Sequence, residues 1–111
     1  MSKEIKTYYE DISFSISRIE FHISSTKTFS EFKKAFTVYD AVERRLAIIG
    51  EALWKIEKKD PDNLITDKRK IIGLRHILTH DYDLISPEII WNILLNNLPL
   101  LKSEVEEILN K

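Results

Sequence analysis

The segment from Arg75 to Tyr82 holds the side chains best suited to chemistry in this sequence. It reads Arg-His-Ile-Leu-Thr-His-Asp-Tyr, so Arg75, His76, His80, Asp81 and Tyr82 lie within eight residues. Histidine exchanges a proton near neutral pH, and an arginine guanidinium forms strong paired hydrogen bonds with phosphate oxygens. Cleavage of a phosphodiester without a metal requires such a proton-transfer group and a fixed cation, because its transition state gains negative charge. The segment is therefore a candidate site for phosphodiester chemistry.

The spacing of Arg75 and His80 restricts how they could act together. Five residues along an unbroken helix rotate the side chain by about 140° beyond a full turn, so the two would not share a face. They converge only if the helix frays near His80 or if a second copy of the chain supplies one of them. The second arrangement predicts a composite site at a dimer interface. The alternative is a solvated helix end, where the negative end of the helix dipole favours a histidine.

The residues before this segment form a local basic surface. No acidic residue occurs between Lys68 and His80, although the whole chain has a formal net charge of -1. The overall charge does not indicate a nucleic-acid binder, so any site for a polyanion must be local. The candidates for substrate positioning are Lys68, Arg69, Lys70, His76 and Asp81.

The sequence offers few ligands for a metal. There is no cysteine, and His22 is the only histidine besides His76 and His80. His76 and His80 have the four-residue spacing of a metal-binding helix face, but a zinc site needs further ligands that the sequence does not supply nearby. We predict no metal site. The absence of a long apolar stretch and the polar start of the chain lead us to expect a cytoplasmic protein.

The elements that position the candidate site are predicted to be helices. Apolar residues recur every three or four positions over residues 3–25, 37–59 and 68–80, and two further helices follow Ser86 and Pro99. Ser2, Asp67 and Ser86 are the predicted N-caps. The fold class is therefore all-α, a bundle of four to five helices, and residues 1–111 are expected to form a single domain.

Two positions carry predictions about packing. Gly50 interrupts the long second helix at a cost of about 1 kcal/mol relative to alanine, so we predict that another helix approaches it closely. Glu51, beside it, is either a surface carboxylate or an interface group. Phe29, Phe32 and Phe36 are the predicted core residues near the short helical turn at residues 30–33.

The spacing Arg75, four residues, His80, one residue, Tyr82 resembles the R-x-x-x-x-H-x-Y motif of the HepT-like branch of the HEPN superfamily. The surrounding sequence is similar as well: the stretch from Asp40 to Ala52 resembles the long helix of that family, and Ile71 to Leu74 leads into the motif. Many relatives have asparagine directly after the motif arginine, whereas this chain has His76. Since histidine can also donate hydrogen bonds, the substitution bears mainly on substrate positioning.

The resemblance implies a dimeric helical bundle and a metal-independent endoribonuclease that acts as a toxin. Arg75 and His80 would be the catalytic residues and RNA the substrate. It also implies a minimal nucleotidyltransferase as antitoxin, which in some pairs transfers AMP to the motif tyrosine, here Tyr82. The chain itself would need no cofactor, because ATP would be used by the partner. The alternative is a non-catalytic helical module that binds substrate or regulates a nucleotidyltransferase.

Overall fold

The computed structural model describes residues 1–80 and 85–111, and this part of the chain forms α-helices joined by short loops. The helices are α1 (Lys3–Ile23), α2 (Phe29–Lys34), α3 (Phe36–Lys59), α4 (Lys68–His80), α5 (Pro87–Asn96) and α6 (Leu98–Leu109). The all-α prediction is confirmed. The described residues contain six helices rather than the four or five expected, because the predicted turn at 30–33 extends into α2. None of these helices is long and apolar enough to cross a membrane.

Side-chain hydrogen bonds explain where three of the helices begin. The hydroxyl of Ser2 accepts the Ile5 N–H at 3.1 Å, and the hydroxyl of Ser86 accepts the Ile89 N–H at 3.4 Å. Thr28 caps α2 in the same way, which stabilises this short helix. The predictions for Ser2 and Ser86 are confirmed.

The start of α4 is fixed by Asp67 through two contacts. Its backbone carbonyl accepts the Ile71 N–H at 3.1 Å, as the residue before a helix does. Its carboxylate accepts a hydrogen bond from the Asn97 side chain at 2.8 Å. Asn97 lies where α5 ends and α6 begins, so Asp67 joins the start of α4 to the C-terminal helices.

The long helix α3 lies at the centre of the fold, and α1 and α4 run antiparallel to it on either side. Lys59 at the end of α3 forms a salt bridge with Glu4 at the start of α1, at 3.0 Å. The core includes Ile12, Leu46, Ile49, Leu53, Ile56, Ile90 and Leu101, all fully or almost fully buried. Burial of such side chains contributes about 1.5–3 kcal/mol each, which holds the helices together.

The three phenylalanines near α2 have different environments. Phe32 is completely buried, and its ring centroid lies 5.1 Å from that of Trp91. Phe29 packs partly against the core. Phe36 is 76% exposed, so its prediction as a core residue is wrong. The reason is that α2 ends at Lys34 and α3 begins at Phe36, so Phe36 does not continue the buried face of α2.

Gly50 lies where α3 and α4 approach each other closely. A Cβ atom at this position would be 2.8 Å from the Cβ of Arg75 and 3.0 Å from the carbonyl oxygen of Ile71. The predicted close approach is confirmed. Because glycine has no side chain, the backbone of α4 at Arg75 can lie directly against α3.

Candidate functional site

The guanidinium of Arg75 is held between two side chains of α3. Its Nε donates a hydrogen bond to Glu51 Oε2, and its Cζ lies 4.1 Å from the ring centroid of Trp54. Glu51 and Trp54 are three residues apart, so both project from the side of α3 that faces α4. The ion pair and the cation–π contact together fix the direction in which the guanidinium points.

Sequence reasoning did not assign Glu51 or Trp54 to the site. A signal was present, however, because both follow Gly50 at positions that share one side of a helix. A glycine that admits another helix also indicates which neighbouring side chains must meet that helix. Of the two possibilities left open for Glu51, the structure shows an interface group.

His80 and His76 lie on a different face of α4. Both are exposed, and their ring centroids are 5.0 Å apart. Helix α4 is continuous through His80, so the fraying that would turn His80 towards Arg75 does not occur in the described part of the helix. Arg75 faces α3 instead. An arrangement in which a second copy brings the two residues together remains a prediction. Asp81 and Tyr82 lie outside the described residues.

The last turn of α4 contains a contact that the sequence did not reveal. The hydroxyl of Thr79 donates to the carbonyl oxygen of Arg75 at 2.8 Å and lies 3.3 Å from that of His76. These are the local bonds that a threonine hydroxyl within a helix forms to the carbonyl groups three and four residues earlier. They hold the Thr79 side chain against the backbone of the last turns of α4.

An open cleft of about 700 Å³ lies over α3 between α1 and α4. Its floor is apolar and includes Ala47, Ile48 and Ala52, whereas Leu78 and Thr79 contribute from α4 and Tyr8 from α1. Glu51 lines this cleft and also binds Arg75, so the Arg75 guanidinium lies at its edge. Arg75 is thus next to a cavity rather than on a flat surface.

The cleft carries more negative than positive side chains. Its acidic lining residues are Asp11, Asp40, Glu43 and Glu51, and its basic ones are Arg44 and Lys55. Burial raises the pKa of Glu43, and nearby Asp40 raises it further, while a hydrogen bond with Tyr39 lowers it. A cleft with this lining attracts cationic groups more readily than a phosphate backbone.

The basic residues at the start of α4 lie well apart from Arg75. Lys68, Arg69 and Lys70 precede it by five to seven residues, or about 7.5–10.5 Å along the helix axis. The ammonium of Lys68 binds Glu57 at 3.1 Å and the Pro61 carbonyl oxygen at 3.0 Å. Its charge is therefore balanced within the fold. Arg69 and Lys70 are exposed.

No metal-binding cluster occurs in the described ranges. Over residues 1–80 and 85–111, no group of three or more His, Asp or Glu side chains is placed to hold a metal ion.

The fold and the site define an all-helical protein that carries Arg75 and His80 on α4, the helix that packs antiparallel to α3. A sequence model of the family described as HepT-like, "Ribonuclease HepT-like", matches residues 4–108. The chain belongs to this ribonuclease family. The recognition made from the motif is thereby confirmed.

Several individual proteins are similar over the whole chain. "Putative RNase TTE0752" of Caldanaerobacter subterraneus is 33% identical, over 98% of this chain and 97% of its own. "Putative RNase MJ0127" of Methanocaldococcus jannaschii is 33% identical, over 96% of this chain and 88% of its own. "Gamma-glutamylcyclotransferase and putative RNase MJ0434" of the same organism is 32% identical, over 100% of this chain and 50% of its own. No solved structure matches the chain with comparable significance.

Proposed function

We propose that this protein is a metal-independent endoribonuclease and the toxin of a two-component system acting in the cytoplasm. The observation that carries the proposal is the fixed orientation of Arg75 between Glu51 and Trp54 at the edge of a cleft. An arginine held in this way is preorganised to stabilise a transition state that gains negative charge. Membership of a ribonuclease family and the names of the relatives support RNA as the substrate.

In the proposed reaction, His80 removes the proton from a ribose 2′-hydroxyl. The 2′-oxygen then forms a bond to the neighbouring phosphorus while the bond from phosphorus to the 5′-oxygen breaks. The departing 5′-oxygen takes up a proton from water, and His80 returns its proton to the solvent. The products are a 2′,3′-cyclic phosphate and a 5′-hydroxyl end. Arg75 stabilises the additional negative charge on the phosphate oxygens in the transition state.

The site is proposed to be completed by a second copy of the chain. Arg75 and His80 occupy different faces of the same continuous helix. A homodimer in which two copies of α4 face one another would place Arg75 of one copy near His80 of the other. Arg69, Lys70 and His76, which are exposed on the same helix, would then contribute to substrate positioning.

The proposed partner is a minimal nucleotidyltransferase that acts as antitoxin and uses ATP to transfer AMP to Tyr82. An AMP group two residues after His80 would add negative charge and bulk next to the catalytic histidine. Both effects would exclude RNA, as other anionic modifications do when they occupy a binding site.

The decisive experiment is the cleavage of total RNA by unmodified protein in excess EDTA, beside Arg75→Ala and His80→Ala. We expect cleavage by the parent only, with cyclic phosphate ends, and unchanged helical circular dichroism in both variants. Intact mass establishes whether Tyr82 carries AMP before the assay. Cleavage by both variants would contradict the proposal.

A second candidate function is favoured by the acidic lining of the cleft. Four carboxylates in this cleft repel RNA but would bind a cationic surface of a protein. Under this alternative, the protein is a non-catalytic module that docks a nucleotidyltransferase. A parent protein with unmodified Tyr82 that forms a stable complex and never cleaves RNA would establish it.

A further inference from the structure

The solvent-facing side of α1 carries two exposed phenylalanines in line. Phe14 is 52% exposed and Phe21 is 71% exposed. They are seven residues apart, which is two helical turns or about 10.5 Å along the axis. The buried side of the same helix consists of Tyr9, Ile12, Ser15, Ile16 and Ile19. Single exposed apolar residues are common, but an aligned pair of large rings indicates a binding surface.

Two arginines from different helices surround the first of these rings. The Cζ of Arg18 lies 5.0 Å from the Phe14 ring centroid, and the Cζ of Arg45 lies 5.3 Å from it. Arg18 is on α1 between the two phenylalanines, whereas Arg45 reaches across from α3. We call Phe14, Arg18, Phe21 and Arg45 the aromatic strip.

The two cations of the aromatic strip differ from the four cations that form salt bridges in the described part of the chain. Lys59, Lys68, Arg75 and Lys102 each form a salt bridge with a glutamate. Neither Arg18 nor Arg45 forms a salt bridge with any carboxylate in the described part of the chain. Their charge is therefore unbalanced at short range, which favours an anionic ligand.

We propose that the aromatic strip binds single-stranded RNA, outside the cleft and apart from α4. Bases stack on aromatic rings and on guanidinium planes, and guanidinium groups bind phosphates in pairs of hydrogen bonds. The distance between Phe14 and Phe21 corresponds to about three base steps of ~3.4 Å. This inference rests on the proposed ribonuclease function, because it assigns to that function a surface that holds the substrate.

The strip adjoins the cleft but has the opposite charge. Asp11, one turn before Phe14, and Arg44, next to Arg45, both line the cleft. Glu10 and Asp11 make α1 acidic on the N-terminal side of Phe14, while Glu20 is neutralised by Lys102 at 2.8 Å. RNA is therefore expected to follow the outer surface from Phe14 towards Phe21, and to avoid the acidic side chains that line the cleft.

Fluorescence anisotropy with a labelled single-stranded RNA tests the proposal. An RNA of about a dozen nucleotides is long enough to cover known single-strand binding sites. The protein carries His80→Ala so that the RNA is not cut. We expect Phe14→Leu to weaken binding about tenfold without changing its dependence on salt. Arg18→Gln and Arg45→Gln should weaken binding and reduce the slope of log affinity against log salt by about 0.7 each.

The matched controls are Phe36→Leu, an exposed phenylalanine on α3, and Lys33→Gln, an exposed cation on α2. Both should bind RNA like the parent. Arg18→Lys is expected to keep the salt slope but to lose affinity, because an ammonium does not stack as a planar guanidinium does. Equal affinity in the strip variants and in the controls would overturn the proposal.

Two further outcomes separate this inference from the proposed function. Protein with His80 intact that binds RNA through the strip but never cleaves it would overturn the nuclease function and leave the strip supported. Strip variants that keep their RNA affinity but change the mass of the assembly in light scattering would identify a protein interface, and would overturn RNA as the occupant.

Discussion

At the scale of single residues, Arg75 is held by contacts that orient it more than they stabilise the fold. The side chains of Arg75 and Glu51 are 26% and 41% exposed. An ion pair with this exposure contributes about 0–1 kcal/mol, because water screens the charges. Trp54 adds a flat surface on which the guanidinium rests. We infer that Glu51 and Trp54 are positioning residues for Arg75.

Glu51→Gln should therefore reduce RNA cleavage by about ten- to a hundredfold, since a misplaced cation stabilises the transition state poorly. The midpoint of thermal unfolding should hardly change. The loss should appear in kcat rather than in KM, because the orientation of Arg75 matters most in the transition state. Steady-state cleavage of a short RNA substrate measures both.

Glu4→Gln is the matched control for Glu51→Gln. It removes the α1 carboxylate that pairs with Lys59. Lys59 lies on α3, as Glu51 does, but at the end of that helix and away from Arg75. We expect its cleavage rate to equal that of the parent. A kcat of Glu51→Gln equal to that of Glu4→Gln would show that Arg75 does not depend on Glu51.

At the scale of elements, the close packing of α3 against α4 positions the site. Gly50→Ala would place a Cβ 2.8 Å from the Cβ of Arg75 and 3.0 Å from the carbonyl oxygen of Ile71. The helices must then separate, which costs about 1–3 kcal/mol and moves Arg75 away from Glu51. We expect a lower midpoint in urea unfolding and weaker RNA cleavage.

Gly73→Ala is the control for Gly50→Ala within the same pair of helices. A Cβ at Gly73 would meet nothing within 4 Å. Alanine should therefore stabilise α4 by about 0.5–1 kcal/mol, because glycine loses more backbone entropy on folding. The prediction fails if urea unfolding shows both alanine variants shifted in the same direction.

Glu57, near the end of α3, makes the stability of the pair of helices α3 and α4 dependent on pH. Hydrogen bonds from Lys68 and Asn63 lower the pKa of Glu57 below its ordinary value of 4.5. A carboxyl with a lowered pKa stabilises the fold above its unfolded pKa, and this contribution is lost as the pH falls through the folded pKa.

Glu57→Gln should accordingly be less stable than the parent at neutral pH, and the difference should shrink as the pH falls below about 4.5. Urea unfolding at several pH values between about 3 and 7 measures it. A difference that stays constant over this range would show that the hydrogen bonds of Glu57 do not depend on its charge.

At the scale of the whole molecule, one helix cannot bring Arg75 and His80 together, so the proposed dimer is open to a direct test. Arg75→Ala and His80→Ala should each be inactive alone. After mixing and exchange of subunits, a mixed dimer would contain one site with both residues intact. About a quarter of the parental activity should return, since half of the dimers are mixed and each has one of two sites.

The measurement is RNA cleavage by an equal mixture of the two variants, whose total protein concentration equals that of the parent control. Light scattering establishes whether the protein is a dimer under these conditions. Activity that stays at the level of the separate variants, in a mixture shown to contain mixed dimers, would mean that each site uses Arg75 and His80 of the same copy.

The sequence by itself determined the helices and the candidate residues on α4. Apolar periodicity, the caps at Ser2 and Ser86, and Gly50 act over a few residues, so they can be recognised without knowing which helices meet. The motif from Arg75 to Tyr82 is likewise local, and it identified the family that the comparison over residues 4–108 confirmed.

Only the tertiary structure decided what surrounds these residues. Arg75 and Glu51 are 24 residues apart in sequence, and Arg18 and Arg45 reach the same ring from different helices. The acidic lining of the cleft, the partner of Lys68 and the exposure of Phe36 also depend on how helices pack against one another. Periodicity shows which face of a helix is apolar, but side-chain contacts between helices arise only once those faces have packed.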